Sequence, residues 1–181
     1  MPATQPPPVL YVVACGARPA EQLPSFVGFA REQGWDVCVI ATPDGTKFLD
    51  AARLEGLTGH PVRSVYKDPD EPDVLPPADA MVVAPATFNT INKSALGITD
   101  IHALGVIAEA IGRRVPVVMV PWVNAPLAAR APFRRSLAQL RDEGVRILLR
   151  EDDAAAQPFG LDSSDIDEFP WHLALDVAER G

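Results

Sequence analysis

The chain contains a series of short, continuous apolar runs, each followed by a segment with helical spacing. The clearest are VLYVVACG at residues 9–16, WDVCVIAT at 35–42, ADAMVVAP at 78–85 and VPVVMVPW at 115–122. Strands that are apolar without alternation are covered on both faces. Strands that alternate with helices pair in parallel through crossover connections. We therefore predict an α/β fold, a single-domain doubly wound (Rossmann-like) parallel sheet with helices on both faces.

The segments between these runs complete the predicted order. Shorter apolar runs at residues 61–66 and 145–150 indicate two further strands. Helices are predicted at residues 23–34, 46–57, 92–113 in one or two pieces, 133–144 and 170–180. We expect residues 1–8 to be a disordered Pro-rich tail and residues 9–181 to form the domain. Within it, the acidic segment 150–170 is expected to be a solvated loop.

Composition narrows the choice of partners. The chain has 181 residues, 48% of them hydrophobic, which suits one compact domain. Its net charge of -8 gives no general attraction to nucleic acid or anionic membranes. Its apolar runs are far shorter than the roughly 20 residues of a membrane helix, and its start lacks a secretory signal pattern. We expect a cytoplasmic protein with no nucleic-acid and no membrane partner.

The two cysteines, Cys15 and Cys38, each lie in or beside an apolar strand and lack CxxC spacing. A buried free cysteine behaves as a small hydrophobe, so we predict two reduced core thiols and no redox pair. The aspartates of residues 150–170 are typical of an acidic surface. No metal site is predicted.

Polar residues stand at the predicted strand ends, where open α/β sheets bind their ligands. After the first strand, Gly16 permits a tight turn, and Ala17 leads to a helix start that can face an anion. After the second strand, the hydroxyls of Thr42 and Thr46 can hold a phosphate or a ribityl chain. Ordinary helix capping explains Thr46 equally well.

The third strand end, VVAPATFNTINKSALGITD at residues 82–100, is the most polar of the four. We expect Asn89 or Thr90 to cap the helix that follows. Capping accounts for one polar residue and leaves the rest of the set to be explained. That set is Thr87, Asn89, Thr90, Asn92 and Lys93.

The fourth strand end, residues 120–133, leaves its strand through Pro121 and presents Asn124 among apolar residues. A turn would explain Asn124 alone.

Two segments carry a family resemblance. APATFNTINKSALGITD resembles the PASANT segment of the homo-oligomeric flavin-containing cysteine decarboxylases, and VPWVNAPLAARAPFRRSLAQLRDEG resembles their P-x-M-N-x-x-M segment, with Pro121 and Asn124 matching. The similarity covers residues 9–149 in motif order and spacing.

The resemblance implies an FMN cofactor and a homotrimer or a higher multiple. It implies oxidation of a cysteine-ended small molecule or peptide substrate to a thioaldehyde-like species that loses carbon dioxide. Asn124 would meet the substrate carboxylate or thiolate, helped by a cation such as Lys93 or Arg130. The implied FMN contacts are Gly16, Ala17, Thr42, Thr46, Pro85, Ala86, Thr87, Phe88, Asn89 and Thr90.

The departures from the family pattern concern the reaction. Where the family decarboxylases carry an active-site His, this chain has Glu71, so Glu71 joins Asn124 as a candidate catalytic residue. His60, His102 and His172 lie in other segments. Three functions stay open: a cysteine decarboxylase, an FMN-binding regulatory or partner subunit without decarboxylase turnover, and a divergent flavin-dependent enzyme.

Overall fold

The structure is a computed structural model that describes residues 6–72, 74–150, 158–160 and 166–180. In this part of the chain five parallel strands form one sheet in the order β2-β1-β3-β4-β5. The order reverses between β1 and β3, which creates a topological switch point. The predicted doubly wound parallel sheet is confirmed. The strands are β1 (Val9–Ala14), β2 (Asp36–Ala41), β3 (Ala80–Ala86), β4 (Val117–Pro121) and β5 (Arg146–Ile147).

Helices cover both faces of the sheet, as predicted. Side chains of α1 and α7 pack on one face, and those of α3, α4 and α6 pack on the other. The predicted helix over residues 92–113 is two helices, α3 and α4. The helices are α1 (Leu23–Glu32), α2 (Ala51–Thr58), α3 (Phe88–Ala95), α4 (His102–Gly112), α5 (Ala125–Ala128), α6 (Ala131–Asp142) and α7 (Trp171–Glu179).

Two hydrophobic cores lie on opposite sides of the sheet because successive strand residues point to opposite faces. On one side the rings of Phe26 and Trp171 stack with centroids 4.8 Å apart beneath α1 and α7. On the other side Ile107 and Phe133, from α4 and α6, are buried against the strands. Coverage on both sides explains why the strand sequences are continuously apolar.

Two predicted elements differ in the structure. Residues 61–66 form no strand: only Arg63 pairs with Ile40 at the edge of β2. Pro61 has no N–H to donate, and Val65 is exposed, so neither end of the segment gains from pairing. The helix predicted from residue 46 begins five residues later, because Asp50 caps α2 by accepting from Arg53 N at 3.0 Å.

The acidic segment at residues 150–170 is only partly described; Arg150, Asp167 and Glu168 are exposed as predicted, but two of its phenylalanines pack against the fold. Phe159 pairs with Trp122 at the end of β4, and Phe169 is 5% exposed within the core. Residues 151–157 and 161–165, like residues 1–5 of the predicted tail, lie outside the described residues. The division into tail and domain therefore stays a prediction.

Both cysteines are free and buried, which confirms the prediction for Cys15 and Cys38. Among the described helices, none combines the length and apolar character that crossing a membrane requires.

Candidate cofactor site at the strand ends

Hydrogen bonds between loops bring the predicted site segments together at the carboxyl edge of the sheet. At the switch point, Cys15 N donates to Pro85 O at 3.3 Å, which joins the loop after β1 to the end of β3. Trp122 N donates to Ala86 O at 2.9 Å, which joins the loop after β4 to the last residue of β3. Three of the four predicted ligand loops are therefore in direct contact, at the place where open α/β sheets bind ligands.

The loop after β2 lies against the loop after β1. Thr42 N donates to Ala14 O at 2.9 Å. A Cβ on Gly16 would lie 2.7 Å from the Cβ of Asp44, so Gly16 is required by this close approach. Ala17 N closes a turn on Cys15 O at 2.8 Å. The predicted tight turn at Gly16 is present, but the reason for glycine is the neighbouring loop.

Thr42 and Thr46 use their hydroxyls to build the turn that follows β2. The buried Thr42 Oγ1 accepts from Gly45 N at 3.0 Å, and the exposed Thr46 Oγ1 donates to Pro43 O at 2.7 Å. Thr46 is not a helix cap, because α2 begins later. Direct contact of either residue with a cofactor stays a prediction.

The polar cluster after β3 begins with the helix cap. Thr87 is the N-cap of α3, and its Oγ1 accepts from Thr90 N at 3.5 Å. The prediction that Asn89 or Thr90 caps this helix is therefore wrong. The cap lies earlier in the chain because only Thr87 separates β3 from the helix, which starts at Phe88, four residues before its predicted start.

Thr90 and Phe88 face the interior. Thr90 is 4% exposed, and its Oγ1 donates to Cys15 Sγ at 3.2 Å. The half-buried Phe88 ring stacks on Phe133 with centroids 6.0 Å apart. These side chains attach α3 to β1 and α6. Their placement makes the first turn of α3 a rigid part of the site.

Asn92 and Lys93 each have partners within the protein. Asn92 Oδ1 accepts from the buried Ser136 Oγ at 2.7 Å, and Asn92 Nδ2 donates to Phe88 O at 2.8 Å, which ties α3 to α6. Lys93 Nζ lies 2.7 Å from Asp100 Oδ2 in a partly exposed ion pair. Structural contacts therefore explain these two residues.

The first turn of α3 offers donors for an anion. The N–H groups of Phe88 and Asn89 have no acceptor within the helix, and the helix dipole is positive at this end. Asn89 is exposed and adds an amide side chain. The backbone donors and the amide, with the Thr87 hydroxyl beside them, form a polar set that fits a ligand with phosphate and hydroxyl groups. FMN is such a ligand.

Asn124 is the N-cap of α5, and its Oδ1 accepts from Leu127 N at 3.1 Å. The cap uses the side-chain carbonyl, so the exposed Nδ2 group keeps its two donors for a carboxylate or thiolate. Arg130, the other predicted helper besides Lys93, is exposed immediately before α6.

Glu71 is exposed in the loop before β3, where its Oε2 accepts from Asp68 N at 3.1 Å. This contact closes a local turn, and a catalytic role for Glu71 stays a prediction. His60 Nε2 lies 2.8 Å from Oδ1 of Asp36, the first residue of β2, so His60 lies at the opposite edge of the sheet. No hydrogen bond or ion pair among the described residues joins Glu71 to Asn124.

Two remaining histidines pack against rings. His172 contacts Phe29 with centroids 4.0 Å apart, and His102 contacts Tyr66 at 5.4 Å. Burial, and next the charge of Arg63, lowers the pKa of His102. Neither contact contributes a base to the strand ends.

The sequence prediction missed the part that Cys15 plays in the site. It assigned Cys15 to the core, which is correct for burial, but the sulfur also accepts a hydrogen bond from Thr90 in the first turn of α3. The signal available was its place between β1 and Gly16, inside the first ligand loop.

These features define a doubly wound α/β domain with ligand loops gathered at its switch point. The chain belongs to the Flavoprotein family, which matches residues 6–165. This confirms the predicted resemblance to flavin-containing proteins. The FMN-dependent cysteine decarboxylase SpaF has the same fold, with a TM-score of 0.72, 22% identity and coverage of 97% of this chain and 99% of that one.

Curated relatives share part of the chain. The coenzyme A biosynthesis bifunctional protein CoaBC of Mycolicibacterium smegmatis is 29% identical over 136 residues, covering 73% of this chain and 31% of the relative. A dihydromethanopterin reductase (acceptor) of Methanosarcina mazei is 46% identical over 56 residues, 30% of this chain and 23% of the relative. The chain thus spans about a third or less of the length of these two relatives.

Proposed function

We propose that this protein binds FMN across the ends of β1, β3 and β4. The observation that carries the proposal is the contact of these three strand ends at the switch point, through Cys15 N to Pro85 O and Trp122 N to Ala86 O. Membership of the Flavoprotein family and the FMN-dependent neighbour of the same fold support it. The open N–H groups at the start of α3 would hold the phosphate.

The test compares two buried helical threonines. Thr90 lies in the site, whereas Thr58, at the end of α2, donates to Leu54 O and serves as the matched control. We expect Thr90→Ala to weaken FMN binding and Thr58→Ala to lower only the melting temperature. Asn89→Ala should weaken binding without loss of stability, because Asn89 is exposed. Absence of flavin absorbance in the purified protein, together with no binding in FMN titration, would refute the proposal.

For the reaction, we infer oxidative decarboxylation of a cysteine-ended small molecule or peptide. FMN, when bound, accepts two electrons as the substrate thiol becomes a thioaldehyde, which then loses carbon dioxide from the neighbouring carboxylate. The chain's own contribution is orientation. Asn124 Nδ2 would donate to the substrate carboxylate or thiolate while Oδ1 keeps its bond to Leu127 N.

A second candidate is an FMN protein without decarboxylase turnover, such as a reductase or a partner subunit. Two observations favour it: Glu71 is exposed where the family carries His, and one partial relative is a reductase. A carboxylate at this position would repel an anionic substrate, and a general base typically contributes about a hundredfold or more in rate.

Anaerobic mixing with phosphopantothenoylcysteine or a cysteine-ended peptide separates the two candidates. A decarboxylase should reduce its bound FMN, slowly in the wild type and faster in Glu71→His. The exposed Glu143→His serves as a control and should change nothing. Asn124→Ala should abolish reduction while FMN stays bound. If neither the wild type nor Glu71→His reduces its bound FMN, the second candidate is favoured.

We also propose a homotrimer or a higher multiple. The apolar loop at residues 120–133 is not the main support, since Trp122 is half-buried and Val123 is buried. Large exposed apolar side chains occur instead on the segments around Tyr66 and Leu96, which meet where Tyr66 Oη donates to Thr99 O. Such exposure is typical of interfaces. Light scattering that gives the chain mass of 19.4 kDa would refute the trimer. A cytoplasmic location stays a prediction.

A further inference from the structure

Cys15 lies beneath the start of α3 and accepts hydrogen bonds from it. The residue is fully buried directly after β1. Its sulfur accepts from Thr90 Oγ1 at 3.2 Å and from the backbone of Thr87. Burial raises the pKa of the Cys15 thiol, so the group is neutral near pH 7, and in its contact with Thr90 the sulfur is the acceptor.

The hydrogen bond that Thr90 donates to Cys15 fixes the direction of the contact between the two threonine hydroxyls. A threonine hydroxyl has one proton. When Thr90 donates that proton to Cys15, its oxygen must accept in its other contact, which is Thr87 Oγ1 at 3.1 Å. Thr87 must then be the donor to Thr90. Because Thr87 Oγ1 also accepts from Thr90 N, a single lone pair remains for any further partner.

We propose that Cys15 is a positioning residue that directs the hydrogen-bond chain Thr87 to Thr90 to Cys15, so that Thr87 meets the bound flavin as an acceptor. The inference rests on the proposed FMN binding. The ligand group at Thr87 is therefore an O–H or N–H group, either a ribityl hydroxyl or a ring N–H. A phosphate oxygen, which is itself an acceptor, belongs at the open N–H groups of α3.

Removal of the sulfur should reverse the chain. In Cys15→Ala the buried Thr90 hydroxyl loses its acceptor, and an unmet buried donor is costly. Thr87 Oγ1, at 3.1 Å, becomes its acceptor. The Thr87 proton then points outward and meets the ligand's own donor. We expect the FMN dissociation constant to rise about tenfold, the size of one lost buried hydrogen bond.

Three further variants separate this role from packing. Cys15→Ser keeps an acceptor and should bind FMN within about threefold of the wild type, since a neutral hydrogen bond is retained. Cys38→Ala removes the other buried free thiol, in the middle of β2, and should leave FMN affinity unchanged. In Cys15→Ala/Thr90→Val no hydroxyl remains to reverse the chain, so binding should recover relative to Cys15→Ala. A packing role predicts further loss instead.

The experiment measures binding of FMN, riboflavin and lumiflavin to each variant by fluorescence titration, with melting temperatures recorded beside it. Equal weakening of FMN and riboflavin by Cys15→Ala, with lumiflavin unchanged, assigns Thr87 to a ribityl hydroxyl. Equal weakening of all three assigns it to a ring N–H. Tighter binding confined to FMN would place the phosphate at Thr87, and either that result or weakening confined to FMN overturns the inference.

Two outcomes distinguish this inference from the proposed function. A wild type that binds none of the three flavins refutes the proposed function, and this inference falls with it. If the wild type and the Cys15→Ala variant bind FMN equally well, this inference alone is overturned. If Cys15→Ala does not fold, Thr90→Val provides the test: it frees Thr87 from its fixed direction and should weaken FMN and riboflavin by the same factor.

Discussion

Gly45, in the turn after β2, gives a sharp test of how closely the first two ligand loops are packed. The residue is buried, and a Cβ added there would overlap the carbonyl oxygen of Ala14 and lie 3.1 Å from Thr42 Oγ1. Both obstacles belong to the strand ends that carry the candidate site. In Gly45→Ala the turn must therefore move away from β1.

The expected loss of stability follows from these contacts. Overpacking a well-packed site costs about 1–3 kcal/mol. The Ala14 carbonyl is backbone and cannot rotate away, so we place the cost for Gly45→Ala in the upper half of that range. A lower backbone entropy of the unfolded alanine chain offsets about 0.4–1 kcal/mol. The net loss is about 2 kcal/mol, which lowers the melting temperature of a domain of this size by roughly 4–8 °C.

Gly56→Ala is the matched control. Gly56 lies exposed inside α2, and an added Cβ meets no atom within 4 Å. Replacing a helical glycine by alanine stabilises by about 1 kcal/mol, so this variant should melt about 2–4 °C higher than the wild type. Thermal unfolding followed by circular dichroism measures both. Equal shifts, or a Gly45→Ala protein as stable as the wild type, would contradict the packing argument.

The other predictions concern individual side chains. Burial lowers the pKa of His102 below its ordinary 6.5, so the folded protein favours the neutral imidazole. The stability that this preference contributes is present above pH 6.5 and is lost as the pH falls through the folded-state pKa. Urea titrations should therefore show that His102→Gln loses less unfolding free energy at acidic pH than the wild type does. Asn92→Ala leaves the buried Ser136 hydroxyl without its acceptor and should cost about 1–3 kcal/mol in urea unfolding. Lys93→Ala breaks a partly exposed pair with Asp100, so the same assay should show at most about 1 kcal/mol, with FMN affinity unchanged.

The sheet and the position of the site could be predicted from the sequence for one physical reason. A strand covered on both faces must be apolar throughout, so the change to polar residues after Ala86 marks the strand end itself. In a parallel sheet all such ends share an edge. The contact between Cys15 and Pro85 follows from that rule.

The partner of each polar side chain could not be predicted in the same way. Thr87, Asn89 and Thr90 are all good N-cap residues, and the choice among them depends on where β3 ends, a tertiary property. Asn92 satisfies Ser136, which is 44 residues away in the chain, and local spacing contains no information about that contact. The loop that holds Glu71 lacks periodicity altogether, so its geometry was not predictable.

The polar residues at the strand ends therefore form two groups, those whose hydrogen bonds are made within the protein and those whose donors remain open to a ligand. Thr90 and Asn92 are satisfied inside the protein, and they hold the start of α3 before any ligand arrives. The exposed Asn89 and Asn124 have amide donors that a ligand can reach. A framework ordered in advance lowers the entropy cost of binding. Replacing Thr90 or Asn92 should thus change the melting temperature and the flavin affinity together, whereas replacing Asn89 should change the affinity alone. Measuring both quantities on one set of variants distinguishes the two groups.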